Sequence, residues 1–483
     1  MTSHKTIKLL ACLILALATL RVLGFWAADP MLAYGNNYDQ IRTMETFGFR
    51  PRDSQKEPFV ATPEQPWRYF IKSAEMRWPS YPSSDQILKA IQYATMVLFA
   101  ADDGSMDIKI ASAPLLLGWM LGIWLIFKRL LISPANALGF AAWLLVVVDP
   151  INLLFLNTWY AEFSAFAVTT LLIGLVWLWM LDLIGLRPTL LWGAMCLLFL
   201  SLNRNQYMFL LPTVALLIAA AMAVTRPYRR QLTGSPIKVV LVAVLCLLPA
   251  LVYTSAAQKM YPIGAANRIN TVFFTLLPAS QNPARMAQKM RLPPSCLQFS
   301  GRNWYDTPTT AFETHCPQVM RLPLSKVVKG VISEPLVVFT IIEHVGKTYR
   351  GFLLPLLGQI EGRANAQLQD SSSRLHRSIN PLFKRLAPDA ITALILVASL
   401  GPVLAALIAW SVRQRRWSFM FLLCGLLFNY ALFSSLFGDG YADLDRHAIL
   451  CFSFGALFFV LLACFAASAF QRAPAQNLHE TAV

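Results

Sequence analysis

Residues 390–416 read AITALILVASLGPVLAALIAWSVRQRR, an uncharged stretch from Ala390 to Val412 that runs straight into Arg413, Arg415 and Arg416. Coiled as a helix, that stretch reaches about 35 Å, enough to cross a hydrocarbon layer about 30 Å thick. No water meets the backbone there, so a crossing segment must satisfy its own N–H and C=O groups, as a helix does. The arginines mark the end expected on the cytoplasmic side. The same signature recurs outward in both directions. The chain is 56% hydrophobic and 14% charged, with a mean hydropathy of +0.52, a balance suited to lipid rather than to an ordinary soluble domain.

Hydropathy predicts about ten spans, near 8–26, 109–127, 134–151, 162–185, 189–203, 206–224, 238–256, 388–412, 418–437 and 447–470. With both termini inside, every short inner turn is basic: Lys128 and Arg129; Arg187; Arg226, Arg229, Arg230 and Lys238; and the arginines after Val412. Arg472 follows the final span. The expected fold class is therefore an all-α polytopic membrane bundle with two large extracytoplasmic segments. The run at 8–26 reads as an anchor, with a cleaved signal ending near Ala28 as the alternative. The expected organisation is 1–26 anchor, 27–107 first external loop, 108–256 membrane core, 257–387 large external segment, 388–470 C-terminal membrane helices and 471–483 cytoplasmic tail.

Residues 257–387 carry sixteen Lys or Arg against six Asp or Glu, which is compatible with an outside location because long loops translocate largely regardless of charge. The net charge of +16 comes from these positions and from span ends, so lipid phosphates rather than nucleic acid are the expected partners. The apolar stretch at 86–100 is too short to span and reads as interfacial; the broken one at 335–357 reads as a surface or re-entrant helix. Six cysteines lie in apolar runs and read as packing. Cys296 and Cys316 stand in a polar segment and are a disulfide pair if that segment meets an oxidising compartment.

Four polar clusters stand at the expected outer ends of the spans. The first loop opens Tyr34-Gly35-Asn36-Asn37-Tyr38-Asp39-Gln40, where Asp39 is either a base at the membrane surface or a turn-former. Asn157-Thr158-Trp159-Tyr160-Ala161-Glu162 begins a span; a carboxylate there is costly unless it faces protein, water or a cation, or is favoured by the helix dipole. Asn203-Arg204-Asn205-Gln206-Tyr207 interrupts an otherwise apolar run, either as a turn or as a phosphate contact through Arg204. Gly438-Asp439-Gly440-Tyr441-Ala442-Asp443-Leu444-Asp445-Arg446-His447 is the most polar short loop in the chain. No Gly-x4-Gly-Lys-Ser/Thr phosphate loop, no His-Glu-x-x-His and no Cys-x-x-Cys occurs, so nucleotide hydrolysis, zincin proteolysis and thiol redox lack their usual residues.

An Asp in the first external loop just after the first helix resembles the GT-C superfamily of polyprenyl-phosphate-sugar-dependent membrane glycosyltransferases. The Asn157–Glu162 element, the Asn203–Tyr207 element and the stretch Asn267–Pro293 are similar to the WsfD-like bacterial hexose transferases, with Met290 where a Gly is expected. Arg446 and His447 resemble the Arg-His pair before that group's last span. The resemblance implies transfer of a hexose from a polyprenyl-phosphate carrier to a surface glycan or lipid-linked acceptor at the periplasmic face of a bacterial inner membrane. It implies Asp39 as base, Glu162 as a catalytic partner, and Arg204, Arg446 and His447 as ligands of the carrier phosphate. Asn37, Tyr160, Gln206, Asp443 and Asp445 are supporting. No cofactor is required, and Asp439, Asp443 and Asp445 allow a divalent cation without implying one. The alternatives are an O-antigen polymerase or ligase, which would use Arg374, His376 and Arg377, and a transporter or flippase, against which the polar residues cluster at one face rather than at the midplane.

Overall fold

A computed structural model describes residues 4–480 except 36–37, 53–65, 77–81, 225–235, 257–260, 350–359, 362–377, 379–381, 384, 443 and 448. The helices used below are α1 (His4–Ala27), α2 (Tyr38–Phe47), α3 (Asp85–Leu98), α4 (Ile108–Leu130), α5 (Pro134–Val147), α6 (Pro150–Leu153), α7 (Glu162–Met180), α8 (Leu186–Asn203), α9 (Leu210–Val224), α10 (Pro236–Ser255) and α11 (Tyr261–Ile269). They continue as α12 (Pro283–Met290), α13 (Thr309–His315), α14 (Leu324–Ser333), α15 (Val337–Tyr349), α16 (Pro388–Ser411), α17 (Arg415–Asp439), α18 (Leu444–His447) and α19 (Ile449–Glu480).

Among the described residues seven helices are long and apolar enough to cross a membrane: α1, α4, α7, α8, α16, α17 and α19. This is a multi-pass membrane protein. Three of the ten expected spans are shorter apolar helices. The span expected at 134–151 stops at Val147 for a local reason. Pro150 cannot continue a helical ladder, and the Asp149 carboxylate accepts from the Ile151 N–H to start α6 afresh. The stretch at 206–224 likewise begins with a separate 3-10 turn, Asn205–Tyr207, before α9.

α1 packs on α5, α5 on α19, α19 on α17 and α17 on α16, while α4 packs on α7 and α7 on α8. The most enclosed of the seven is α7, which also touches α17. Its two ends are tied differently. Past Met180, Asp182 takes a left-handed φ of 61° and pairs with Arg416 at the start of α17; the other end carries Glu162. The span expected at 162–185 thus ends at Met180, and the chain just past it meets the basic turn that follows α16 at one end of the bundle, while the four polar clusters gather at the other.

The all-α expectation misses one element. Between α2 and α4 lies a three-stranded antiparallel sheet, β1 (Phe49–Pro51), β2 (Tyr69–Lys72) and β3 (Met106–Asp107), in the order β1-β2-β3 with Phe49 opposite Lys72 and Phe70 opposite Met106. With α2 and α3 it encloses a small core of Met44, Phe47, Phe49, Phe70, Met96 and Trp159, separate from the membrane core. Strands this short carry too few alternating residues to be read from a sequence.

The described residues between α10 and α16 are mainly helical. Phe273, Phe299 and Phe312 pack together beside the Cys296–Cys316 disulfide, whose Cα atoms are 5.1 Å apart. Met290 fills the place against Gly330, where an added Cβ would stand 2.8 Å from Met290 Cγ. The left-handed residue that turns the chain out of α12 is Arg291, φ 64°, one place after the position where a Gly is expected. α3 and α15 occupy the two stretches expected to lie at the interface, with Ile87, Val97 and Leu98 of α3 exposed.

Candidate functional site

The site grows from the loop after α6. Its backbone is held by the segment after α1: the Tyr34 N–H donates to the Leu154 carbonyl at 2.8 Å, and the Trp159 N–H donates to Gln40 Oε1 at 3.1 Å. The rings of Tyr34 and Tyr160 meet edge to face at 5.3 Å. Two residues later α7 begins, with Glu162 in its first turn, where a carboxylate suits the helix dipole.

Glu162 is 3% exposed and meets two guanidinium groups. Arg204 Nη2 lies 2.5 Å from Glu162 Oε1, and Arg446 Nε lies 3.7 Å from the same oxygen. The Arg446 guanidinium carbon sits 5.5 Å from the Tyr160 ring centre, a cation-π contact. Three loops far apart in sequence are thus joined through one carboxylate.

Arg204 is presented by the end of α8. That end leaves carbonyls without helical partners, and hydroxyls from elsewhere supply them: Ser84 Oγ donates to Phe199 O at 2.6 Å, Ser83 Oγ to Asn203 O at 2.7 Å, and Tyr253 OH to Leu202 O at 2.8 Å. Asn203 Nδ2 donates to Ser164 Oγ at 3.1 Å, fastening the end of α8 to the first turn of α7. Gln206 packs against Gly438, and its carbonyl accepts from Tyr430 OH at 2.9 Å.

Two charged residues absent from the sequence reading complete the cluster. Asp85 and Lys89, one turn apart on α3, are both 2% exposed with Lys89 Nζ 3.8 Å from Asp85 Oδ2. Lys89 Nζ donates to the Thr158 carbonyl at 3.2 Å and lies over the Trp159 ring. Burial pushes the Asp85 carboxyl up, opposed by Lys89, by the Ser164 hydroxyl and by Arg204. Burial pushes the Lys89 ammonium down, opposed by Asp85 and Glu162. The signal was visible as an i, i+4 Asp-Lys pair, but α3 points its ionic face inward and its apolar face outward. A reading that assumes water outside reverses the two.

The last loop is set by the segment between α10 and α16. Asp439, 5% exposed, accepts from Asn270 Nδ2 at 2.8 Å, and Asn270 Oδ1 accepts from the Trp304 N–H. Gly440 has φ 61°, and an added Cβ would lie 2.5 Å from the Asn270 carbonyl oxygen, so only glycine fits. Tyr441 N–H donates to Thr275 Oγ1 at 3.0 Å, and the Tyr441 ring meets His344 at 4.5 Å. Burial pushes the His344 imidazole below its ordinary value.

Of the residues expected from sequence, the structure joins Glu162, Arg204, Arg446 and Tyr160, with Gln206 at the margin. Asp39 is the second residue of α2, next to the anchored Gln40; its side chain lies outside the described residues, as do those of Asp445 and His447. Asn37, Asp443, Arg374, His376 and Arg377 also lie outside them. Cys296 and Cys316 lie in the segment between α10 and α16 and pair with each other, outside this cluster. Among the described residues, no group of three or more His, Cys, Asp or Glu could hold a metal ion.

Residues 1–480 match the family model described as the YfdI N-terminal transmembrane domain. The chain belongs to that family. No curated protein and no solved structure matches it. For this YfdI-type transmembrane chain, the chemistry on offer at the cluster is electrostatic. Two guanidiniums from separate segments meet the buried Glu162 carboxylate with the buried Asp85–Lys89 pair on α3 nearby, an arrangement that can receive an anion and orient a proton acceptor beside it.

Proposed function

We propose that this chain is a GT-C-type membrane glycosyltransferase that moves a hexose from a polyprenyl-phosphate carrier to a surface glycan or lipid-linked acceptor. The observation that carries the reading is the convergence of Arg204 and Arg446 on the buried Glu162 at one end of the bundle, with Lys89 on α3 nearby. Cations gathered in a low-dielectric place suit a phosphate leaving group, which they stabilise as its charge develops. The exposed apolar residues of α3 lie on the other side of the same helix, next to where a lipid-borne carrier would run.

In this proposal Asp39 is the base that takes the acceptor proton, Arg204, Arg446 and His447 hold the carrier phosphate, and Glu162 keeps the guanidiniums in register. Asn37, Tyr160, Gln206, Asp443 and Asp445 support them. No cofactor takes part, because the donor is already activated. The bundle has ten helices, both termini on the cytoplasmic side of a bacterial inner membrane and the site on the outer face. The test is reconstitution in liposomes with a synthetic polyprenyl-phosphate hexose. Sugar transfer is expected; movement of the lipid across the bilayer without transfer would overturn the reading.

A further inference from the structure

α14 presents Leu324, Val328 and Ile332 at one-turn spacing on a single exposed face, at 49%, 45% and 69% exposure. The stripe continues past the chain bend through Leu336 and Phe339, 63% and 55% exposed. The other side of α14 is used: Val327 is buried, and Gly330 sits against Met290 and Met286 of α12. The stripe is therefore what remains after the helix has met its own layer. An aligned apolar surface of this kind marks a contact site.

The neighbouring charges say with what. Arg285, Lys289 and Arg291 are exposed around α12, and Lys326 and Lys329 flank the stripe on α14. Beyond the cost of burial, Lys326 is lowered by Arg291 and Lys329, the mark of crowded like charges. Glu334, the acidic residue at the end of α14, is engaged by Ser280 and by the Gln281 N–H. Apolar side chains flanked by basic ones fit the boundary of a bilayer, where the former enter the acyl region and the latter reach lipid phosphates.

The position suits the same boundary. α15 follows α14 after three residues and packs on α16, a candidate span. Gly346 comes so close to Thr392, in the second turn of α16, that a Cβ would stand 2.1 Å from its hydroxyl. The layer is thus fastened at the end of a membrane helix.

We propose that α12 and α14 form a docking face for the phosphate layer of anionic lipids in the adjoining leaflet, seating the second external segment on the membrane independently of the ligand taken by the site. The test uses the full chain with Cys12, Cys196, Cys246, Cys424, Cys451 and Cys464 replaced by alanine and the Cys296–Cys316 disulfide kept. An environment-sensitive dye is placed by Ile332→Cys or, as a second reporter, Val328→Cys, with Thr310→Cys on exposed α13 as the control. Each is reconstituted in phosphatidylcholine vesicles with and without phosphatidylglycerol.

In the anionic vesicles the two stripe dyes should be quenched by shallow lipid nitroxides and shielded from aqueous iodide, while the control dye is quenched by iodide. Lys326→Gln and Lys329→Gln should each lower the docked-to-undocked ratio about fivefold. Iodide quenching of the stripe dyes as strong as that of the control would overturn the proposal. So would indifference to phosphatidylglycerol, or shielding from both quenchers, which would point to a covering protein surface instead.

Discussion

Replacing Glu162 by glutamine keeps the shape of the side chain and removes the charge that two guanidiniums share. The contact with Arg204 is a charge-assisted hydrogen bond at 2.5 Å, with the Arg204 side chain 13% and the Glu162 side chain 2% exposed. Such bonds contribute about 1.5–3 kcal/mol. Arg446 is 3.7 Å away through Nε, beyond hydrogen-bond reach, and adds a longer-range attraction. Complete loss of a partner in a buried pair costs about 3–5 kcal/mol. Glutamine still offers an acceptor to Arg204, and Arg204 keeps some access to solvent, so about 2–3 kcal/mol is expected from these bounds. The clean measurement is a double-mutant cycle of Glu162→Gln and Arg204→Gln, read as unfolding free energies in mixed micelles. The coupling should be about 1.5–3 kcal/mol. A coupling below about 0.5 kcal/mol, within the additivity of independent sites, would show that the two side chains do not pair and would dismantle the cluster.

In the liposome transfer assay Asp39→Asn should lower turnover about 10²–10⁴-fold with folding intact; near-parental turnover in a well-folded sample would move the base elsewhere. Arg446→Ala should instead weaken use of the phosphate-linked donor, seen as a raised KM, because it removes a cation rather than a proton acceptor. The Cys296–Cys316 bridge closes a loop with a sequence separation of 20, so its reduction should cost about 3 kcal/mol in the chain-entropy estimate; mass spectrometry without reductant that finds both thiols alkylated would refute it. The lowered His344 pKa means that the folded state prefers the neutral ring, so its contribution is present above the ordinary value of 6.5 and is lost as pH falls. Protection factors of the α15 amides, corrected for the pH dependence of intrinsic exchange, should therefore fall on acidification, and His344→Gln should flatten that response.

The spans were legible because lipid imposes a simple rule on the residues that cross it, and 390–412 obeys it without exception. Glu162 was legible for the complementary reason: a carboxylate at the start of an apolar run needs a partner, and Arg204 and Arg446 stand where polar residues break other runs. What could not be read was the partner's identity, since the three positions are dozens to hundreds of residues apart. Asp149 and Pro150 carried a helix start that hydropathy averaged away within 134–151. Asp85 and Lys89 were hidden by a reversed amphipathic pattern, and the sheet at Phe49–Asp107 by the shortness of its strands. The disulfide pair was suggested by the polar surroundings of Cys296 and Cys316, which no other cysteine shares.

The two ion pairs on α7 have a mechanical meaning. Asp182 ties one end of it to Arg416 at the start of α17, and Glu162 faces Arg446 just beyond the far end of α17. The two contacts are unequal: Asp182 is largely exposed while Glu162 and Arg446 are buried, so α7 and α17 are held more firmly at the Glu162 end. The segment between α1 and α4 lies outside this pair of contacts. There α3 packs on α4, itself a membrane-length helix against α7, and is fastened further through hydroxyls and a lysine to chain ends.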